Sequence, residues 1–498
     1  MIKTFMRCAF AFLFIVLQVF FVYIAYVVID NNNIFWIIYS LFCLYFVLKI
    51  IAKSRSLSFT LPWILIFMMF PIPGSLLYLL VKINIKISSL LPRIIKNEKD
   101  SKKYLVQDEK IKKQFNDNGV IKYISDYAKF PVTTNNDVSY YPLGDEVYPE
   151  MLKELQKAEK FIFMEYFIYT PGKMWNSILE ILEEKVKQGV EVRVMYDDLG
   201  CLTTLNSSYD KFLEKKGIKC VSVNRIKPFA GVIINNRDHR KILVIDGKIA
   251  FSGGINIADE YINEGSKYGH WKDNGIKISG DAVWSYTVMF LTIWNSFRKT
   301  DNNYEKYKYE FKDVKVSKGF VAPYGNNPLT GEITGEDVYL NMINNAVKYV
   351  YIMTPYLILD TDMIDALVLA VKRGVDVRII IPGIPDKKMV YTVTESYMTT
   401  LVDCGVKVYK YTNGFVHSKV VVSDDIRATV GTINMDYRSL YLHFECGCYF
   451  EDCKVISKVK DDCEKTFEKC RLITKKEAKT GRVKEFRQSI LKLIAPMM

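Results

Sequence analysis

The sequence has 498 residues, of which half are hydrophobic and 14% are aromatic, and its formal net charge is +13. This length accommodates two ordinary domains and a further module, and the apolar content allows a large core or a membrane part. The excess of basic residues favours an anionic partner, either a nucleic acid or an acidic membrane surface. The ten cysteines show no paired C-x2-C spacing, which argues against a zinc site, and reduced thiols would agree with a cytosolic catalytic part.

Three apolar runs dominate the first hundred residues. The first, at 9–28, holds 20 uncharged residues, which is enough to span a bilayer. No small-residue cleavage site follows it, so we expect an anchor rather than a removed signal peptide. The second run, at 34–48, predicts a further transmembrane helix. The third, at 59–81, is interrupted at Pro71 and Pro73, which leaves two pieces that are each too short to cross.

Basic residues set the expected orientation of this N-terminal segment. They precede the first run, at Lys3 and Arg7, and follow the second, at Lys49 and Lys53. The positive-inside rule therefore puts both flanks in the cytosol. Another basic cluster follows the third run and favours a segment that re-enters the membrane, with a kinked third span as the alternative. We predict a multi-pass anchor in the cell membrane at 1–104, with the catalytic part on the cytosolic side.

From about Asp108 the composition becomes mixed, and the remaining chain divides into two similar halves. Three segments of the first half recur in the second in the same order: 158–164 in 346–353, 189–194 in 374–379, and 217–220 in 405–408. Strands that alternate with helical patterns predict, for each half, a layered α/β domain with a largely parallel sheet. We expect the first half at 105–300, a connector at 301–318 and the second half at 319–498.

Each half contains one copy of the motif H-x-K-x4-D, at 239–246 and at 417–424. The first copy supplies His239, Lys241 and Asp246, and the second supplies His417, Lys419 and Asp424. A glycine turn and an asparagine follow each copy, namely Gly253, Gly254 and Asn256 in the first half and Gly431, Thr432 and Asn434 in the second. Residues i and i+2 of an extended strand face the same side, so each histidine and its lysine point into one space. We expect the two motifs to face a shared cleft between the halves.

Two imidazoles, two ammonium groups and two amides in one cleft suit the chemistry of phosphodiesters. A neutral histidine can attack phosphorus and form a covalent phosphohistidine, while the other histidine, when protonated, gives its proton to the leaving alkoxide. The lysines and asparagines can donate to the phosphoryl oxygens, where negative charge gathers in the transition state. No metal or other cofactor is expected, because the lysines supply the positive charge. The covalent intermediate also allows an alcohol rather than water to accept the phosphoryl group.

Acidic residues around the motifs are expected to support the histidines. Asp273 and Glu445 follow the two motifs on later strands, and we expect them to hold the second ring nitrogen of an attacking histidine. Ordinary acids at a sheet edge are the alternative interpretation of these two residues. Asp246 and Asp424, which close the motifs, are expected to tie down the loop around the site.

Several other residues are assigned from their place in the sequence. Glu165, at the end of a buried strand, is assigned to the cleft, near the acceptor. Arg438 is either a phosphate contact or a member of a structural ion pair. His270 and His443 lack a lysine two positions later, so we expect neither to be catalytic. The basic tail from Lys475 has apolar residues at helical spacing, which predicts a helix docked on the second half or, alternatively, one lying on the membrane.

The doubled motif resembles that of the phospholipase D superfamily. The flanks resemble those of bacterial cardiolipin synthases in that superfamily over four segments: 236–241, 253–261, 268–273 and 434–439. The resemblance extends from the apolar N-terminus to the last residues. It implies two α/β halves around one active site, in an enzyme that joins two phosphatidylglycerols into cardiolipin and releases glycerol. It also implies that His239 is the nucleophile and His417 the general acid.

Three other functions stay open from the sequence. In a hydrolase of the same superfamily, water would accept the phosphatidyl group. A membrane-tethered nuclease would use the same site and agree with the positive charge, although we expect no nucleic-acid partner. An inactive membrane scaffold is the third alternative, against which the two intact motifs argue. The expected partners are therefore a phospholipid substrate, phosphatidylglycerol, and the membrane, and the oligomeric state stays open.

Overall fold

The computed structural model describes residues 33–52, 57–69, 74, 78, 90–115, 119–225, 235–265, 267–311 and 318–497. The chain divides into two compact units, Met1–Lys86 and Ile87–Met498. Several features used for the sequence predictions lie outside the described residues: the apolar run at 9–28, the residues Lys3, Arg7, Lys53, Pro71 and Pro73, and the segment 312–317 of the connector.

The described residues of the N-terminal unit include two helices, α1 (Asn33–Ile51) and α2 (Leu57–Met69). Phe46 and Ile50 of α1 pack with Phe67 of α2, and all three side chains are buried. Other apolar side chains of α1 are exposed, as at Leu41 and Leu48, so the predicted second run forms a helix with an uncovered apolar surface. No helix among the described residues reaches both the length and the hydropathy that a membrane crossing requires.

Strands and helices alternate through both halves of the larger unit, as expected for layered α/β domains. Its helices are α3 (Leu90–Ser101), α4 (Glu109–Lys112), α5 (Gly119–Asp126), α6 (Gly144–Gln156), α7 (Lys173–Lys187), α8 (Tyr209–Lys215), α9 (Val283–Phe297), α10 (Thr334–Asn344), α11 (Thr361–Lys372), α12 (Lys388–Asp403), α13 (Val455–Phe467), α14 (Lys475–Ala478) and α15 (Arg482–Ile494). Its strands are β1 (Asn136–Tyr141), β2 (Phe161–Tyr166), β3 (Glu191–Asp197), β4 (Lys219–Val223), β5 (Ile242–Ile245), β6 (Ile249–Gly253), β7 (His270–Lys272), β8 (Gly275–Gly280), β9 (Phe320–Asn326), β10 (Tyr349–Met353), β11 (Asp376–Pro382), β12 (Lys407–Tyr411), β13 (Gly414–Val416), β14 (Val420–Ser423), β15 (Arg427–Gly431), β16 (Glu445–Glu451) and β17 (Cys470–Leu472).

Each half forms one mixed sheet. The seven-stranded sheet of the first half has the order β1-β8-β6-β5-β2-β3-β4, and the eight-stranded sheet of the second has the order β17-β12-β11-β10-β14-β15-β16-β9. Only β2, β3 and β4 in one sheet, and β10, β11 and β12 in the other, pair in parallel. The prediction of a largely parallel sheet is therefore wrong, although the mixed α/β class and the two sheet-containing halves are confirmed.

One antiparallel pair in each sheet follows from a tight turn after the motif strand. β5 leads into β6 through Asp246 and Gly247, and β14 leads into β15 through Asp424 and Asp425, and all four residues have positive φ. Two strands joined by so short a turn pair antiparallel, since a parallel pair needs a longer crossover. The last residue of the H-x-K-x4-D motif therefore belongs to a hairpin turn.

Helix α9 is buried around almost its whole circumference. Its residues from Ser285 to Ser296 are all buried, and it contacts strands β2, β5 and β6 of the first sheet and β9 of the second. A helix that is apolar on every face is typical of the interior of a larger protein. The two halves therefore share a core around α9.

The basic C-terminal tail folds onto the second half. Helices α14 and α15 both contact α12, and Gln488 and Leu491 of α15 are buried. Gln488 also donates to the Thr392 carbonyl of α12. Val483 and Phe486, in contrast, stay exposed. This packing agrees with the interpretation of the tail as a docked helix.

The described cysteines take part in no disulfide among themselves. All nine of them are free, and six are buried. Cys446 and Cys448 lie on β16 with both side chains in the core. Burial raises the pKa of Cys446 to about 11, so its thiol stays protonated and packs as a small apolar group.

Candidate active site

The two motifs meet because each is paired with a segment of the opposite half. Asp238 forms a parallel bridge with Phe444, and the His239 amide donates to the Phe444 carbonyl over 2.9 Å. On the other side, β13 pairs in parallel with β7, and the His417 amide donates to the Lys272 carbonyl over 2.7 Å. Each motif histidine is therefore held beside a segment of the other half.

Each motif histidine contacts an acid of the other half through Nδ1. His239 Nδ1 lies 2.9 Å from both carboxylate oxygens of Glu445. His417 Nδ1 lies 2.6 Å from Asp273 Oδ2. The sequence predicted that these two acids hold the histidines, but not that the pairs cross between the halves. In both pairs Nε2 is the ring nitrogen left to face a substrate.

In each half, the residue that follows the first turn glycine is matched to the size of the acid in that half. A Cβ atom on Gly254 would lie 1.9 Å from Asp273 Oδ1, so glycine leaves the space that this carboxylate occupies. At the equivalent position of the second half, the Thr432 hydroxyl donates to Glu445 Oε2 over 2.5 Å. Two further glycines approach a neighbouring backbone carbonyl so closely that a Cβ would lie 2.4 Å from its oxygen: Gly253 and Gly431. The glycine turn that follows each motif therefore helps to hold the acid of its own half in place.

Burial sets the protonation of both imidazoles. His239 and His417 are only 8% and 6% exposed. Burial, followed by the charge of Lys241, lowers the pKa of His239. Burial and the charge of Lys419 lower the pKa of His417 to about 4, although Asp273 opposes the change. The lowered pKa favours the neutral form of both rings. The negative charge of a bound phosphodiester would raise the pKa of a nearby ring.

The motif lysines are buried beside the histidine of their own copy. Lys241 Nζ donates to the His239 carbonyl over 2.7 Å, and Lys419 Nζ lies 2.7 Å from His417 Nδ1. Burial lowers the pKa of Lys241 to about 8 and that of Lys419 to about 7, although nearby carboxylates oppose the change. An incoming phosphate would favour the charged form of both lysines, which could then donate to its oxygens.

Lys241 also affects the pKa of Glu445, the acid that contacts His239. Burial raises the pKa of Glu445, and the charge of Lys241 and the hydrogen bond from Thr432 oppose that rise. For Asp273, burial acts in the same sense, but the interactions with His417 and Lys419, including the hydrogen bond with His417, outweigh it and lower the pKa. The lysines therefore favour the carboxylate forms of both acids, although burial still keeps the pKa of Glu445 well above its ordinary value.

Asp246 and Asp424 lie at the opposite end of the motif strands from the histidines. Asp246 lies seven positions after His239, and an extended chain of that length spans about 20 Å. Each aspartate accepts three backbone N–H groups at 2.7–3.0 Å: those of Glu159, Lys160 and Phe161 for Asp246, and those of Val347, Lys348 and Tyr349 for Asp424. The prediction that they tie down the loop around the site is therefore wrong. They fix the turns that lead into β2 and β10.

The two motif asparagines differ in their partners. Asn256 Nδ2 donates to the Tyr261 hydroxyl over 2.7 Å, and its Oδ1 accepts from the Ile168 amide over 3.2 Å. Asn434 is buried, and its Oδ1 has no hydrogen-bond partner among the described residues. Donation by both amides to a phosphoryl group stays a prediction, and at Asn256 it would use the second hydrogen of Nδ2.

His443 lies inside the site, although the sequence predicted no catalytic role for it. Its ring centroid is 5.6 Å from that of His239, and its Nδ1 is 3.6 Å from Glu445 Oε1. Arg438 Nε donates to His443 Nε2 over 3.2 Å, a contact that differs from both roles expected of this arginine. Because a guanidinium can only donate, the ring proton of His443 lies on Nδ1, facing the carboxylate. The sequence did hold a signal, since His443 and Glu445 are two residues apart and share a strand face.

Two further sequence assignments concern Glu165 and His270. Glu165 is 1% exposed and pairs with Arg240 over 2.5 Å, so its assignment to the cleft near the acceptor is wrong. Arg240 follows His239 and therefore points to the other side of the extended chain, where it meets Glu165 in the core. His270 is half-buried, and its Nδ1 lies 3.0 Å from the Tyr411 hydroxyl, away from the crossed pairs.

One group among the described residues has the spacing of a metal site. Ligand atoms of His239, His443 and Glu445 lie within 4.8 Å of one another. The carboxylate of this group already accepts from His239 and from Thr432. Metal-free chemistry therefore stays a prediction.

Comparisons with known proteins place the chain in a family. A family model described as "Cardiolipin synthase, PLD-like domain" matches residues 151–280 and 339–488, one stretch in each half. An uncharacterized protein of Streptococcus mutans is 44% identical over 461 residues, covering 91% of this chain and 99% of that protein. Cardiolipin synthase 1 of Staphylococcus aureus strain COL is 33% identical over 470 residues, covering 90% of this chain and 93% of that protein.

A solved structure supports the same fold. The crystal structure of phosphatidylserine synthase from Haemophilus influenzae aligns with a TM-score of 0.59 at 15% identity, over 72% of this chain and 95% of that one. The motifs, the matched family model and the extent of the sequence identity agree. The resemblance drawn from the sequence is confirmed, and the chain belongs to the cardiolipin synthase family of phospholipase D-like proteins.

Proposed function

We propose that the chain is a cardiolipin synthase, which transfers a phosphatidyl group from one phosphatidylglycerol to another and releases glycerol. Membership of the family supports this assignment. The observation that carries it is the set of crossed contacts, His239 with Glu445 and His417 with Asp273. Two such pairs supply both a nucleophile and a proton donor to a single phosphodiester.

In the first step, His239 Nε2 attacks the phosphorus of the donor lipid. The bond from phosphorus to the glycerol oxygen breaks, and protonated His417 passes its proton to that oxygen. The products are a phosphatidyl-histidine and free glycerol. Glu445 accepts from Nδ1 and so stabilises the positive charge that develops on the attacking ring. Lys241 and Lys419 donate to the non-bridging oxygens.

In the second step, a glycerol hydroxyl of another phosphatidylglycerol attacks the phosphorus. His417, now neutral, takes the proton of that hydroxyl, and the P–N bond to His239 breaks to give cardiolipin. One phosphodiester forms for each one broken, so the reaction is near thermoneutral and needs no nucleotide. The choice of His239 as nucleophile rests on the family resemblance.

The depth of the site supports transfer to an alcohol rather than to water. Both motif histidines and both motif lysines are buried, so bulk water has little access to them. A transferase has to exclude water, because water would otherwise hydrolyse the covalent intermediate. A lipid hydroxyl, in contrast, can be held in line at a high effective concentration.

Purified full-length protein in vesicles of phosphatidylglycerol should form cardiolipin and glycerol in equal amounts. The reaction should proceed with a chelator present and without a nucleotide, because the cations of the proposed mechanism are lysines. Thin-layer analysis of the lipids and an enzymatic glycerol assay measure the two products, and protein with His417→Ala controls for contaminating activity. Phosphatidic acid as the main product would instead indicate a hydrolase, and cleavage of nucleic acid would indicate a nuclease.

The N-terminal segment is the proposed multi-pass membrane anchor, with two transmembrane helices and the catalytic part in the cytosol. The apolar runs at 9–28 and 34–48 support it, as do the basic residues that flank them. The exposed apolar side chains of α1 agree with contact with lipid, since a soluble protein rarely leaves so much apolar surface uncovered. Such an anchor would deliver the site to lipid headgroups.

A cysteine in place of Lys96, in a Cys404→Ser background, tests this orientation. Cys404 is replaced because it is exposed in the structure. An impermeant thiol reagent should leave position 96 unlabelled in intact cells and label it once the membrane is opened. Strong labelling in intact cells would contradict the cytosolic placement.

A further inference from the structure

A groove of about 640 Å³ lies between α3 and the loop that follows α9. Helix α3 begins at Leu90, close in sequence to the end of the N-terminal unit at Lys86. The motif residues do not line this groove. We call it the basic groove, because four cationic side chains line it: Arg93, Lys96, Lys103 and Lys299.

Contacts within the protein fix the walls of the basic groove. Asn97 of α3 donates to the Ser296 hydroxyl near the end of α9 over 3.0 Å. The ring of Tyr104 stacks on that of Tyr304 with their centroids 4.6 Å apart, and the Tyr104 carbonyl accepts from Trp284 over 2.7 Å. The groove is therefore preformed, and a ligand would not have to assemble it.

The charges of the basic groove are unbalanced. All four of its cationic side chains are exposed, and none forms an ion pair among the described residues. Two nearby acids are engaged elsewhere, Glu98 with Lys102 and Asp301 with Arg193. Asp100 is the exposed carboxylate of the lining. Four exposed cations against one exposed carboxylate favour an anionic ligand.

Apolar residues next to the groove residues in the chain point to a lipid as the source of the anion. Ile95 lies between two cations of α3, Val106 follows the Tyr104 wall, and both Ile95 and Val106 are exposed. Basic residues interspersed with exposed apolar ones are typical of a surface that lies on a membrane. We propose that the basic groove binds the phosphate headgroup of an acidic phospholipid, at a docking site separate from the catalytic histidines. This proposal rests on the membrane attachment that is part of the proposed function.

A headgroup in the basic groove would also act on the first motif through α9. The Met289 carbonyl of this helix accepts from Arg240 Nη1 over 3.4 Å, and Arg240 directly follows His239 in the chain. Ser296, which anchors the groove wall, lies two turns further along the same helix. Docking would therefore steady the helix against which the His239 segment packs, as well as hold the enzyme on acidic membranes.

Photocrosslinking from position 302 tests the basic groove directly. Asn302 is exposed and lines the groove, so a benzoylphenylalanine placed there would react with a bound lipid. The full-length protein carries His239→Ala, which prevents turnover, and is reconstituted in phosphatidylcholine vesicles with and without phosphatidylglycerol. We expect crosslinks to phosphatidylglycerol and few to phosphatidylcholine. The triple substitution Lys96→Gln, Lys103→Gln and Lys299→Gln should lower the yield about tenfold or more, because each cation favours an acidic headgroup.

The matched control removes three exposed lysines elsewhere: Lys187→Gln, Lys211→Gln and Lys476→Gln. It loses the same charge and should crosslink as before, and thermal unfolding checks that both triple variants fold. Equal crosslinking to phosphatidylcholine, an unchanged yield in the groove variant, or full competition by inorganic phosphate would each overturn the proposal. Cardiolipin formation is measured separately with His239 intact, so that a failure of the proposed function and a failure of the groove appear in different assays.

Discussion

Alanine in place of either motif histidine is expected to lower cardiolipin formation by about 10⁴-fold or more. Every catalytic cycle needs both nucleophilic attack and proton transfer, and His239 and His417 each perform one of these roles, so the reaction requires both rings. The burial of both positions leaves little bulk water to replace a missing ring. Conversion of labelled phosphatidylglycerol per mole of folded protein measures the effect.

The double alanine variant should lose little more than either single variant, because the two rings act on one reaction path as a unit. His270→Gln is the matched control, since this histidine contacts Tyr411 outside the crossed pairs. Its replacement should leave turnover within about twofold of normal. A single alanine variant that keeps more than about 1% of normal turnover would contradict a site shared by the two motifs.

Glu445→Gln should lower kcat by about 10³-fold to 10⁴-fold. The carboxylate accepts from His239 Nδ1, whereas an amide can present its NH₂ group instead and favour the tautomer that carries the proton on Nε2. That tautomer has no free nitrogen facing phosphorus. Loss of the negative charge also lowers the pKa of the imidazole, so the acidic limb of the kcat profile should move to lower pH.

Glu451→Gln is the matched control for this change. Glu451 is a buried acid on the same strand, β16, and its contacts include Arg427 and Tyr449. Its replacement is expected to affect folding stability and to leave the yield of phosphohistidine per folded molecule unchanged. Rapid quenching with a labelled donor, followed by peptide mapping, measures that yield. Label on the peptide that contains His417 would reverse the proposed roles of the two rings.

The chemistry of the site could be predicted because it depends on short-range periodicity. A histidine and a lysine two residues apart share a face of an extended chain, and this holds in any fold. The crossing of the pairs could not be predicted in this way. The partners are 206 positions apart for His239 with Glu445 and 144 positions apart for His417 with Asp273, and packing between the halves brings them together.

The wrong predictions came from treating closeness in sequence as closeness in space. Asp246 belongs to the same motif as His239, yet an extended strand carries it to the far end, where it fixes a turn. The parallel pairing expected from alternating strands and helices holds for three strands in each half, whereas the other pairings in the two sheets, including the hairpin after each motif, are antiparallel. His443 was expected not to be catalytic because it lacks a lysine two positions later, and this expectation stays a prediction, although the spacing from Glu445 places His443 on the same strand face as that acid.

The crossed pairs make each half incomplete by itself. A half on its own would hold a histidine without its acid and an acid without its histidine, so natural selection acts on the two copies jointly. Because both halves belong to one chain, every molecule contains one copy of each half, and each histidine has its partner acid. Gly254 and Thr432 show how far duplicated sequences can still diverge under this constraint, because the shorter Asp273 needs open space where the longer Glu445 takes a hydroxyl. Exchange of either acid during evolution would therefore require a matching change in the turn of its own half and continued fit to the histidine of the other.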